Sequence, residues 1–128
     1  MKINYSIEDR TIHLSDETRE ILTIREDPEE SSVTVTLAGS LRSDVVCYMQ
    51  DELDAFLSLG LAVIVDMDGL DYVSVTAQQA FLQSQQRIDR SGKGSMTLRL
   101  SNDALYAEFE QNGSSELLIF ERGGNHAQ

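Results

Sequence analysis

Residues 61–81 read LAVIVDMDGLDYVSVTAQQAF. The run 61–65 is apolar on both parities, the pattern of a strand covered on both faces in a parallel or mixed sheet. Asp66-Met67-Asp68-Gly69 then supplies turn chemistry, and 70–73 predicts a short extended piece. From about Val75 to Asp89 the spacing turns helical, with Ala77, Ala80, Phe81, Ser84 and Ile88 on one stripe. Gln78, Gln79, Gln83, Gln86 and Arg90 fall on the other face, which reads as solvated. Ser74 and Thr76 are both helix-capping types, and Thr76-Ala77-Gln78-Gln79 fits a capping box in which Gln79 reaches back. A buried strand running through a glycine turn into a helix is the repeating unit of an α/β fold.

Upstream, Val33, Val35 and Leu37 alternate with Thr34 and Thr36, as in a half-buried strand. Residues 21–25 predict its hairpin partner, with Asp27-Pro28-Glu29-Glu30 as the turn. Gly39-Ser40-Leu41 breaks the alternation. A helix is expected from about Ser43, with Ser43 as N-cap and Asp44 in the first turn. Val46, Met49, Leu53, Phe56 and Leu57 make its apolar stripe, and Gly60 ends it. Residues 1–20 are polar and weakly patterned, although Ile3, Tyr5 and Ile7 alternate and 11–14 predicts a short strand. They read as an N-terminal extension that adds an edge strand or contacts a second copy in a homodimer.

Downstream, Met96, Leu98 and Leu100 alternate with Thr97 and Arg99 in another strand. Ser101, Asn102 and Asp103 are N-cap types that open a third helix with Leu105, Tyr106 and Phe109 inward. Residues 117–120 predict a last strand, and 122–128 a flexible tail. The whole is an α/β fold of one domain over 21–121. It has a mixed central sheet of four to five strands, three or more helices and right-handed crossovers.

The chain has 128 residues, with 22 Asp and Glu against ten Lys and Arg, for a net charge of −12. That balance opposes nucleic-acid binding, which needs clustered cations. No apolar run approaches the roughly 20 residues of a membrane span, and no signal-peptide pattern opens the chain, so a cytoplasmic location is expected. The charge is uneven: Arg87, Arg90, Lys93 and Arg99 against Asp89 make 76–100 the one basic stretch.

Catalytic constellations are hard to build from these residues. His13 and His126 sit in polar terminal segments, and no zinc spacing exists. Cys47, between Val46 and Met49, reads as a buried thiol rather than a nucleophile. Asp66, Asp68 and Asp71 form an acidic cluster that fails the calcium-loop pattern and leaves a weak Mg²⁺ site as the enzyme alternative. Gly92-Lys93-Gly94 lacks the spacing of a phosphate loop. No catalytic residue, no resident metal and no cofactor is expected.

The segment around Asp66 resembles the STAS domain of bacterial anti-sigma factor antagonists. Asp66 matches that family's strand-end Asp, Gly69 its turn Gly, and Tyr72-Val73 its apolar pair. Residues 37–41 resemble its Gly-Glu-Leu stretch, and 96–100 its strand before the third helix. Its Asp-Ser-Ser/Thr-Gly motif reads Ser74-Val75-Thr76-Ala77 here, so Thr76 alone keeps a hydroxyl in register. The resemblance implies a non-enzymatic regulator that switches partners, binding a serine kinase or anti-sigma-type protein. It implies phosphorylation at Thr76, with Ser74 as a substitute, and partner contact through Asp66, Asp68, Asp71, Val75, Gln78, Gln79 and Gln83. The alternative is a STAS scaffold or subunit of a signalling or transport assembly that is never phosphorylated, which Val75 and Ala77 favour.

Overall fold

The computed structural model describes residues 1–123. Seven strands form one sheet in the order of the chain: β1 (Lys2–Ser6), β2 (Thr11–Ser15), β3 (Glu20–Pro28), β4 (Ser32–Leu41), β5 (Ala62–Val73), β6 (Ser95–Arg99) and β7 (Phe120–Glu121). The first four make an antiparallel meander. From β4 onward the pairing is parallel, and α1 (Val46–Ser58), α2 (Val75–Ser91) and α3 (Asp103–Gln111) are the crossovers. The strands advance in one direction, so right-handed crossovers place the helices on one side of the sheet.

The burial pattern agrees. Val33, Val35, Leu37, Val63, Val65, Met67, Met96 and Leu98 point into the core with Phe81 and Phe109. Their neighbours Thr34, Thr36, Ile64, Asp66 and Thr97 are only half-buried. The expected covering of residues 61–65 on both faces is therefore not found: the second face carries no helix.

The sheet has seven strands rather than four to five. The two added ones are β1 and β2, which short alternating segments had barely announced. The last strand is Phe120–Glu121, not 117–120. Residues before it turn instead, the Leu117 N–H donating to the Ser114 carbonyl at 3.1 Å.

The expected turn at 66–69 is not a turn. β5 runs unbroken through it, and register shifts opposite Thr36/Ala38 and Gly39/Ser40 each insert one extra residue in β5. These are β-bulges. Burial along β5 accordingly changes from every second residue (Val63, Val65, Met67) to every third (Met67, Leu70, Val73). Gly69 serves close approach: a Cβ there would lie 3.0 Å from the Leu37 carbonyl oxygen and 3.1 Å from the Ala38 Cβ. Gly39, at φ +112°, is placed so that any side chain would collide with the Ile21 carbonyl oxygen.

Three local expectations also change. Ser43 makes no cap; a 3₁₀ turn (Ser43–Val45) precedes α1, and Asp44 instead accepts from Arg42 at 3.1 and 2.5 Å. Cys47 is exposed, because it falls off the Val46, Met49, Leu53, Leu57 stripe. Arg122 is not part of a loose tail. It donates to the Leu100 carbonyl at 2.8 Å, pairs with Asp103 at 2.5 Å and stacks 4.0 Å from the Tyr106 ring centre. Residues 124–128 and His126 with them lie outside the described residues.

Candidate functional site at the start of the second helix

The site begins where β5 hands over to α2. The Ser74 N–H donates to the Leu41 carbonyl at 3.1 Å, which pins the end of β5 to the end of β4. Ser74 is extended, at φ −71° and ψ 161°, and its Oγ accepts from the Ala77 N–H at 3.1 Å. Ser74 is therefore the N-cap, with Val75, Thr76 and Ala77 as the first three helical residues. The expected capping box from Thr76 to Gln79 is not formed, since Thr76 is already the second helical residue, two positions past the cap. Ser74 is 3% exposed, whereas Thr76 is exposed. The first turn of α2 holds no acidic residue, so the positive end of the helix dipole is uncompensated there.

Tyr72 and Val75, 47% and 55% exposed, flank the cap as apolar surface. Beside them a cavity of about 210 Å³ opens between α2 and the end of α3, lined by Val75, Gln78, Gln79, Leu82, Asn112 and Ser114. Gln78 is buried, against its expected place on the solvated face. Its Oε1 accepts from Asn112 Nδ2 at 3.1 Å and from Ser114 Oγ at 3.5 Å. Asn112 Nδ2 also donates to the Glu108 carbonyl at 2.9 Å, which fixes that amide and with it the orientation of Gln78. Gln78 Nε2 is left buried with no partner. An unused buried donor is costly unless something else supplies an acceptor.

The remaining candidates are distributed around this centre. Asp66 closes the β5–β6 pairing opposite Arg99. Its Oδ1 accepts from the Asp68 N–H at 3.1 Å and its Oδ2 lies 3.7 Å from Arg99. Arg99 also donates to Glu121 at 2.5 Å, and that bond, ahead of the Asp66 and Asp68 charges, raises its pKa. Asp68 accepts from the Ser101 N–H at 2.7 Å and its hydroxyl at 3.2 Å, tying β5 to the entry of α3. Asp71 lines a different cavity, with Arg19, Gly39 and Arg42. Gln83 is exposed on the other flank of α2, where it accepts from Gln50 of α1 at 3.1 Å.

Thus Ser74, Val75, Thr76, Gln78 and Gln79 come together, while the three aspartates do not converge. Among the described residues no group of three or more His, Cys, Asp or Glu is placed to hold a metal ion. Leu82, Asn112 and Ser114 belong to the site and were missed. Asn112 and Ser114 carry only helix-end signals, and nothing in sequence marks a helix end as facing another helix.

No protein-family profile and no curated protein sequence matches the chain. Comparison with solved structures does find relatives in shape. An anti-sigma factor antagonist from Mycobacterium paratuberculosis superposes with a TM-score of 0.71 at 8% identity, covering 80% of this chain and 86% of that one. SpoIIAA, an anti-sigma factor antagonist, matches in its unphosphorylated form with a TM-score of 0.63 at 12% identity, over 77% of this chain and 87% of its own. The phosphorylated form of the same Bacillus cell-fate determinant gives 0.58 at 12% identity, over 77% and 90%. Among the described residues no helix is long and apolar enough to cross a membrane. With its mixed sheet and three crossover helices, the chain has the STAS fold of the anti-sigma factor antagonists.

Proposed function

We propose that this chain is a non-enzymatic, cytoplasmic regulator of the anti-sigma factor antagonist type, binding a serine kinase or anti-sigma-type protein through the start of α2. The observation that carries the reading is the division of labour between Ser74 and Thr76. One hydroxyl is buried in the helix cap, and the next sits exposed on the first turn. A phosphoryl group on Thr76 adds up to two negative charges and three acceptor oxygens at a helix N-terminus, which the dipole tolerates. The same charge enters a contact surface built from Tyr72, Val75, Gln78 and Gln79, where a docked apolar surface cannot solvate it. Phosphorylation thus releases the partner and leaves the fold intact. Asp66 and Asp68 act on that surface by fixing β5 to the strand and loop beside it; Asp71 and Gln83 mark its margins.

A second reading is favoured by the burial of Ser74. With that hydroxyl committed to the cap, a kinase has one accessible hydroxyl where the STAS motif offers two, and the domain works as an unphosphorylated scaffold or subunit of a signalling or transport assembly. Incubation with ATP and a serine kinase of the anti-sigma type that binds the chain separates the two, read by mass spectrometry and by recovery of the complex. Stoichiometric phosphate on Thr76 with loss of the complex supports switching. An intact complex and an unmodified chain contradict it and leave the scaffold.

A further inference from the structure

The N-terminal hairpin extends the sheet past the helices. Ile3 pairs with Leu14 and Tyr5 with Ile12, and both lie on the core face, because Leu14 and Ile12 continue through Leu22 and Ile24 to β4. The helices leave most of that face open: of α1, Phe56 borders it across a cavity of about 370 Å³ that Tyr5 and Ile7 also line. Met1, Ile3, Tyr5 and Ile7 are 51%, 51%, 55% and 80% exposed. They are four of the nine large apolar residues exposed among the described residues, gathered within the first seven. β1 is also a free edge with a row of unpaired backbone N–H and C=O groups. Its pairing with β2 is regular over all five residues, without a bulge or a proline to spoil a further strand. The opposite edge, β7, is two residues long and offers no comparable length.

We propose that β1 pairs antiparallel with β1 of a second copy of this chain, joining two sheets across a two-fold axis at Asn4. The strand is self-complementary in that register. Centring on Asn4 sets Lys2 opposite Ser6 and Ile3 opposite Tyr5, each pair occurring twice by symmetry, and Asn4 opposite itself on the axis. The aliphatic and aromatic side chains meet on that open face, a favourable cross-strand pairing. No like charges face each other, since Glu8 and Asp9 lie in the turn beyond the paired span. A seam of five residues is smaller than a permanent interface, so the dimer forms and separates with concentration. This surface is separate from the start of α2, and its fate does not depend on the partner proposed there.

Sedimentation of the full chain from about 5 to about 500 µM, a span suited to a small interface, tests the proposal. The mean mass should move from that of a monomer towards twice that value. Ile3→Lys with Tyr5→Lys should hold it at the monomer while circular dichroism stays unchanged. In a Cys47→Ser background, Asn4→Cys should oxidise to a covalent dimer at least ten times faster than Thr18→Cys, an exposed control in the β2–β3 turn. A chain that stays monomeric throughout overturns the proposal. So does a dimer that survives the double lysine variant, or an Asn4→Cys chain that crosslinks no faster than the control.

Discussion

Ser74 and Thr76 differ by two positions and by everything that matters to a kinase or a helix. Ser74 closes the α2 cap from a buried position, so Ser74→Ala should cost about 1 kcal/mol of unfolding free energy in urea denaturation. Ser74→Asp should retain most of that stability, because a carboxylate oxygen accepts the same bond. Thr76→Ala should leave stability within about 0.5 kcal/mol, as for an exposed surface position. Equal losses at both positions would show that the cap is shared. Gln78 poses the opposite balance. Its amide holds Asn112 and Ser114, yet each of those has a second acceptor, the Glu108 and Phe109 carbonyls, and its own Nε2 has none. Gln78→Met should therefore raise stability by about 1 kcal/mol by removing the orphan donor, while weakening the bound partner. A destabilised variant with full affinity would contradict that role. The capping chemistry was legible in the sequence as two good cap residues. Which of them caps was not, because the choice is made by where β5 ends against Leu41.

At the scale of elements, the instructive failure is β5. Asp-Met-Asp-Gly carries turn composition, and only the neighbouring strand shows why no turn forms: two bulges absorb two extra residues, and Gly69 lets β4 approach. A one-dimensional reading cannot see a bulge, since the period changes from two to three without a break in the chain. The helical stripes of α1 and α2 were legible because their period is local. Where β3 meets α1, Glu26 faces Glu52, and its Oε2 is sealed off without a partner. Burial first, then the Glu52 carboxyl, push the Glu26 pKa up from 4.5 to about 8, against a smaller pull from Arg10. Between those values the folded chain holds a proton that the unfolded chain has lost. This group's contribution therefore falls as pH rises from about 4.5 to about 8 and is flat beyond. Glu26→Gln should remove that slope. At pH 8 it should stabilise by about 1 kcal/mol, less than the full shift implies because part of the side chain meets water. Denaturation midpoints at three pH values check it, and parallel profiles for the two proteins would contradict it.

Over the whole molecule, the net charge of −12 does not describe the proposed contact surface. Arg25, Arg42, Arg87, Arg99 and Arg122 each pair with an acid, while the exposed start of α2 is apolar and amide-rich with no acid in its first turn. Binding there should depend weakly on salt, with affinity changing less than about threefold between 50 and 300 mM, because little of the attraction is screened charge. A tenfold loss would point to the acidic faces instead. The α/β order was legible from alternating strand and helix patterns alone. The seven-stranded extent was not, because β1 and β2 are short and one of them faces water.

The partner of this chain should dock on the start of α2. Amide chemical-shift mapping of the labelled chain against a serine kinase or anti-sigma-type protein that binds it tests that docking. Shifts should concentrate at Tyr72, Val75, Thr76, Gln78, Gln79 and Asn112, and should be lost once Thr76 is replaced by Glu. Shifts confined to β1–β3, or a Thr76→Glu chain that binds as well as the original, would contradict it.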